Sequence, residues 1–158
     1  MLTNNFYTIM RLALCSGRSG YEDLPLTIKA ISGELKAIKP SDLFNKFFGK
    51  PPSLLLGSGT APVAVTDYKL DKPWGTCSYN YSVTEDDSGN IVTEITGSFG
   101  SISSAVTITE AGLRADFGDY DYSQFLIDRV ILDTPIVLAK GETGIIKYRL
   151  TNASVFNF

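Results

Sequence analysis

From Gly75 onward the chain alternates. Cys77, Tyr79, Tyr81 and Val83 fall on one side of an extended strand, and Thr76, Ser78, Asn80 and Ser82 on the other. A period of two is the signature of a β-strand with one face buried. Asp86-Asp87-Ser88-Gly89-Asn90 then supplies turn residues, and Ile91, Thr93 and Ile95 against Val92, Glu94 and Thr96 make the return strand. Together these runs predict a hairpin. Further strands follow over 105–109, 112–117, 125–132, 136–138 and 144–151, broken by 118–123, Pro135 and Gly141. Many short strands with no crossover helix between them predict antiparallel pairing in a β-sandwich or open barrel.

The first half adds shorter elements. Phe6, Ile9, Met10, Ala13 and Leu14 share one helical stripe, with Thr3 or Asn4 as N-cap and Gly17 as the stop. The stretch 24–39 alternates around Ser32-Gly33 and predicts a second hairpin. Ser41 caps a short predicted helix carrying Phe44, Phe47 and Phe48, which Gly49 and Pro51-Pro52 end. Residues 53–57 read as a short buried strand, and Thr66-Asp67-Tyr68 as a capped helical turn. The fold class is therefore mainly β: a single antiparallel sandwich with a short N-terminal helix and one or two helical turns. Residues 1–20 form helix and linker, and 21–158 the β-rich domain.

Composition narrows the chemistry. The chain has no histidine, which removes Ser–His and Cys–His pairs, His-ligated metals and a histidine proton switch. The net charge of −3 disfavours nucleic acid as a primary partner. The charge is uneven: Lys29, Lys36, Lys39, Lys46 and Lys50 dominate one stretch, and Glu110, Asp116, Asp119, Asp121, Asp128 and Asp133 a later one. Solvated loops and strand faces account for most of this, and a charge-asymmetric surface that orients neighbouring copies is the sharper reading. Two cysteines, Cys15 and Cys77, are fewer than a disulfide-stapled domain carries. Leu14 before Cys15, and Arg11 within the apolar run, argue against a lipoprotein signal. No run approaches the ~20 apolar residues of a membrane span.

The short motifs carry little. Gly57-Ser58-Gly59-Thr60 lacks the Lys-Ser/Thr of a phosphate loop. Asp116-Phe117-Gly118 matches a kinase triplet in a chain too short for a kinase. Asp116, Asp119 and Asp121 lack EF-hand spacing. Glu85, Asp86 and Asp87 sit at a turn tip, where nothing shifts a carboxyl pKa toward glycoside hydrolysis. Trp74, Tyr79, Tyr81, Tyr120 and Tyr122 offer a sugar-binding face, or one side of a packed sheet.

Two stretches resemble bacteriophage tail and other virion structural proteins. Residues 56–62 (LGSGTAP) followed by 66–71 (TDYKLD) look like their "LGxGTxxPxxxDYxLE" segment. Residues 106–113 (VTITEAGL), 125–130 (FLIDRV), 135–142 (PIVLAKGE) and 146–150 (IKYRL) are similar to "ITExGL", "LLARxVL" and "PxxLxxGxxxxVxY" in the same order. Asp71 stands where glutamate is usual, and "FLIDR" replaces "LLAR". On the residues themselves, "ITEAGL" reads as a strand entering a glycine bend, and "PIVLAKGE" as an edge strand begun by proline. The resemblance implies a non-enzymatic virion subunit of the tail or portal-proximal ring, assembled in the bacterial host cytoplasm beside copies of itself and other virion proteins. It implies no catalytic residue, cofactor, metal, membrane or small-molecule substrate. A capsid decoration or head-fibre subunit is the alternative within that class, and a carbohydrate-binding module the alternative outside it. The apolar residues expected at subunit contacts are Phe6, Ile9, Met10, Phe44, Phe47, Phe48, Phe156 and Phe158.

Overall fold

A computed structural model describes residues 1–15, 26–39, 52–117 and 123–152. Among these residues one helix, α1 (Asn4–Cys15), precedes nine strands. These are β1 (Leu26–Lys29), β2 (Leu35–Ile38), β3 (Ser53–Gly57), β4 (Pro73–Thr76), β5 (Ser78–Glu85), β6 (Ile91–Phe99), β7 (Val106–Phe117), β8 (Ser123–Leu138) and β9 (Gly144–Asn152). They form a β1-β2 hairpin, a four-stranded sheet ordered β4-β3-β7-β8 and a three-stranded sheet ordered β5-β6-β9. Every strand pair among them is antiparallel. The protein is mainly β, with a sandwich-like arrangement of sheets and one short N-terminal helix.

The two larger sheets share one core. Leu54, Leu56, Ile108, Leu113 and Phe125 meet Ile95 and Tyr148 in it. The sheets approach closely at Gly97, where a Cβ would lie 2.7 Å from Leu54 Cδ2. The chain crosses from one sheet to the other at Cys77, whose N–H donates to the Leu54 carbonyl at 3.2 Å. All five residues of β3 are buried. The apolar run Leu54-Leu55-Leu56 explains this, because a strand covered on both faces does not alternate. Its second face, at Leu55, packs with Leu70 and Leu126 in a smaller cluster. The connection 58–72 supplies Leu70 and lies over that face.

Polar side chains stitch the N-terminal segment to the sheets. The Thr3 carbonyl accepts the first helical bond, from Tyr7 N–H, so Thr3 is the N-cap residue. Its hydroxyl does not cap the helix and donates instead to the Leu126 carbonyl of β8 at 2.8 Å. Asn5 bridges two elements, donating to Lys29 O at 2.9 Å and Leu126 O at 3.1 Å while accepting from Lys29 N–H. The division expected at residue 20 falls outside the described residues. On its N-terminal side, α1 packs against β1 and β8 and contributes Ile9 to the common core.

Several sequence expectations change. Residues 106–117 form one strand, and Gly112 is no bend. It pairs with Leu55 and Arg129 in mid-strand. A Cβ there would lie 2.8 Å from the Asp128 carbonyl oxygen and 2.9 Å from Leu126 Cδ1. Glycine serves close packing at this position. β8 likewise runs through Pro135, which sits in a register shift against β7 between the Glu110–Ile131 and Ile108–Ile136 pairs. An irregularity of this kind is where a sheet tolerates proline. At Thr66-Asp67-Tyr68 there is a hydrogen-bonded turn rather than a helical one, closed from Asp67 N–H to Ala64 O at 3.0 Å. The predicted helix with Phe44, Phe47 and Phe48 lies outside the described residues, as do Phe156 and Phe158.

Candidate functional site

Glu110 and Asp128, which the sequence places in an acidic stretch of solvated charges, are buried, and so is Arg129. Glu110 is 0% exposed, Asp128 5% and Arg129 2%. They build two adjoining polar clusters between β7, β8 and the 58–72 connection.

The first cluster centres on Glu110. A register irregularity between Ile108 and Glu110 turns this carboxylate toward the connection instead of the sandwich core. Its Oε1 accepts from Gly59 N–H at 3.0 Å and Lys72 N–H at 2.7 Å. Its Oε2 accepts from Asp71 N–H at 3.1 Å and Arg129 Nε at 2.9 Å. Arg129 continues the network, with Nη1 on Asp67 Oδ2 at 2.7 Å and Nη2 on the Ala61 carbonyl at 3.0 Å. Burial pulls the guanidinium pKa down, but hydrogen bonds and charges from Asp67 and Glu110 outweigh it and hold the value above the ordinary one. Asp71 Oδ2 accepts from Thr60 and Ala61 N–H, and Thr109 Oγ1 donates to Gly59 O at 2.7 Å. At Gly59 a Cβ would come within 2.4 Å of Glu110 Oε1, so only glycine lets the backbone reach the carboxylate.

The second cluster centres on Asp128, the neighbour of Arg129. Its Oδ2 accepts from Tyr148 OH at 2.7 Å, and its Oδ1 from Arg129 N–H at 2.8 Å. Oδ1 also pairs with the Met1 ammonium at 2.8 Å. Burial first, then the Asp128 charge and hydrogen bond, push the Tyr148 phenol far above its ordinary pKa.

The chemistry open to this arrangement is limited by saturation. A carboxylate offers about four acceptor directions. Glu110 uses four, on four different donors, so no lone pair remains to take a proton or a metal ion. The described residues hold no group of three or more Cys, Asp or Glu placed to bind a metal. An open recess of about 370 Å³ flanks Asp67, Tyr68, Asp71 and Arg129. A second, apolar groove of about 260 Å³ is lined by Ile31, Leu55, Leu70 and Trp74. Both clusters act as clamps: one fixes the 58–72 connection, the other the N-terminal segment and β9.

Several residues of the resemblance meet here: Gly57, Gly59, Asp67 and Asp71 from 56–71, Glu110 from 106–113, Arg129 from 125–130 and Tyr148 from 146–150. No local pattern in the sequence predicts this convergence. One signal was present, a charged pair inside the apolar run Phe125-Leu126-Ile127-Asp128-Arg129-Val130, because charges in a buried strand require partners.

The expected contact residues divide. Ile9 is 1% exposed and belongs to the core, which removes it from any subunit surface. Phe6 is half-buried against the same core. Met10, 41% exposed, remains on the surface. The proposed sugar face is also split, since Trp74 lies on β4 in one sheet and Tyr81 on β5 in the other. Tyr120 and Tyr122 lie outside the described residues.

This fold and these clusters define a β-sandwich whose irregular connection is locked by a buried ion network. No family model matches the chain, and neither a curated protein nor a solved structure does.

Proposed function

We propose that the chain is a bacteriophage virion structural protein, a non-enzymatic multicopy subunit of the tail or the portal-proximal ring. It assembles in the host cytoplasm with copies of itself and with other virion proteins. One observation carries the reading. The residues of the resemblance run from 56 to 150, and six of them, Gly59, Asp67, Asp71, Glu110, Arg129 and Tyr148, meet in the two adjoining clusters. Such a set supports the reading because each part completes the hydrogen bonds of another, as the parts of a sequence that specifies one fold do. The saturated carboxylates fit a building block, whose work is done by its surface.

The test is made on particles. Virions purified from a lysate are probed with a labelled antibody to this chain and imaged by negative stain. Label at a symmetric tail or neck position, in several copies per particle, is the expected result. Its absence from particles, together with glycan binding by the free protein, overturns the reading in favour of a carbohydrate-binding module.

A further inference from the structure

Four strands end the two larger sheets: β4 and β8 in one, β5 and β9 in the other. An open edge presents unpaired N–H and C=O groups, and folds blunt it with short strands, proline, lysine or bulges. Three of these edges are blunted. β4 has four residues, begins at Pro73, and meets β3 through a register shift. β8 carries Pro135, and Leu2 bridges to it at Asp128. β9 carries Lys147 and Arg149, both exposed and both bonded to Glu94.

β5 has none of these devices. It runs for eight residues without proline, lysine or arginine, and its register with β6 is unbroken throughout. Among the described residues nothing pairs with its outer edge. Its side chains add to the argument. Register places Tyr81 in one row with Ile95 and Tyr148, and Val83 in the next with Thr93 and Leu150. Ile95 and Tyr148 are buried, yet Tyr81 and Val83 are each 58% exposed. The core-facing apolar stripe thus runs out past the cover of the opposite sheet.

We propose that β5 pairs antiparallel with β5 of a second copy, about a two-fold axis at Ser82. The pairing joins two three-stranded sheets into one of six strands. Opposed residues in an antiparallel pair point to the same side. An axis at Ser82 therefore sets Tyr81 of each copy beside Val83 of the other, and Asn80 beside Thr84. Aromatic and β-branched residues are favourable cross-strand partners. Charge selects the orientation. Glu85 is the only charged residue of the strand, and Asp86 and Asp87 follow it. Antiparallel pairing separates the two Glu85 positions by six residues, about 20 Å at the rise of an extended strand and beyond a Debye length. A parallel pair would stack the acidic ends side by side. The contact is isologous, so it closes on itself and uses one surface twice.

This pairing deepens the multicopy reading and rests on it for the presence of a second copy, but it fails separately. A chain found in virions that stays monomeric at high concentration sinks the pairing alone. The full chain is measured by sedimentation and by size exclusion with light scattering. The wild type is expected to be a dimer. A Tyr81→Lys/Val83→Lys variant, altered only at exposed positions, is expected to be a monomer with unchanged circular dichroism and thermal midpoint. Under mild oxidation Ser82→Cys is expected to give a covalent dimer. Asn80→Cys, whose two copies lie four residues apart along the strand, is beyond the ~7 Å Cα reach of a disulfide and is expected to give none. A monomeric wild type, a dimeric lysine variant, or equal cross-linking at the two cysteine positions would each refute the proposal.

Discussion

Replacing Glu110 by glutamine isolates what the buried cluster contributes, because the shape is kept and one oxygen becomes an NH₂ group. Each Glu110 oxygen accepts two hydrogen bonds: Gly59 and Lys72 N–H on one, Asp71 N–H and Arg129 Nε on the other. Glutamine keeps one acceptor and sets a donor against the other two donors. Two hydrogen bonds to a buried charge are lost, at about 1.5–3 kcal/mol each. The arginine keeps Asp67 as counter-charge, which spares the larger penalty of a lone buried ion. The expected loss is about 3–6 kcal/mol, a large fraction of the 5–15 kcal/mol stability of a typical domain. At roughly 2–4 °C per kcal/mol for a chain of this size, the thermal midpoint falls by roughly 6–24 °C. Calorimetry at neutral pH reads this, and hydrogen exchange locates it. Protection is expected to fall at the Gly59, Asp71 and Lys72 amides before it falls along β6 and β9. A midpoint within 2 °C of wild type, about the shift of a single kcal/mol, would mean that the carboxylate does not hold the connection.

Three further outcomes follow from the same geometry. Gly59→Ala places a Cβ 2.4 Å from both Asp71 Cβ and Glu110 Oε1. Relieving that contact is expected to lower stability by ~1–3 kcal/mol in urea unfolding, the usual cost of overpacking. Tyr148 is held neutral by burial and by Asp128, so its folded pKa lies above the unfolded value. Its contribution is complete below pH ~10 and is lost above it at about 1.4 kcal/mol per pH unit. Tyr148→Phe is expected to remove that part of the alkaline slope while lowering stability at neutral pH, which a pH series of denaturant melts reads. Burial raises the Cys77 thiol above its ordinary pKa. Peptide-resolved labelling is expected to find Cys77 unreactive in the native protein and modified once denaturant unfolds it.

The sequence made the local elements legible wherever alternation or an apolar run was long enough to set a period. The β5–β6 hairpin follows from Tyr81, Val83, Ile91 and Ile95, with Asp86 closing the turn through Ser88 and Asn90 N–H. The β1–β2 hairpin follows from its alternation and from Gly33 at positive φ. Pro-Trp-Gly-Thr has no period of its own, so β4 is not legible in the sequence and exists through pairing with β3. Glycine and proline usually punctuate, which is why the sequence predicts a bend at Gly112 and a break at Pro135. Here one permits close packing and the other occupies a register shift. The clusters were illegible for a different reason. Glu110 meets Gly59 across 51 residues, and Asn5 meets Leu126 across 121. No local pattern encodes partners that far apart. Only the placement of Asp128 and Arg129 within an apolar run hinted that such partners existed.

The two halves of the sandwich carry opposite solutions to one problem. A strand or loop that covers no sheet edge leaves backbone groups unpaired, and burial makes that costly. On the four-stranded side an irregular connection lies over β3 and β7, where ladder bonds are unavailable to its amides. Glu110 and Asp71 between them take the N–H groups of Gly59, Thr60, Ala61, Asp71 and Lys72. An apolar replacement for Glu110 would leave three of those donors without an acceptor, so the buried charge is retained even though buried ion pairs add little net stability by themselves. On the three-stranded side nothing among the described residues pairs with the outer edge of β5, and Tyr81 and Val83 are exposed. Polar groups satisfied within the chain close one face, and those left unsatisfied at β5 mark the edge through which a second copy completes the sheet.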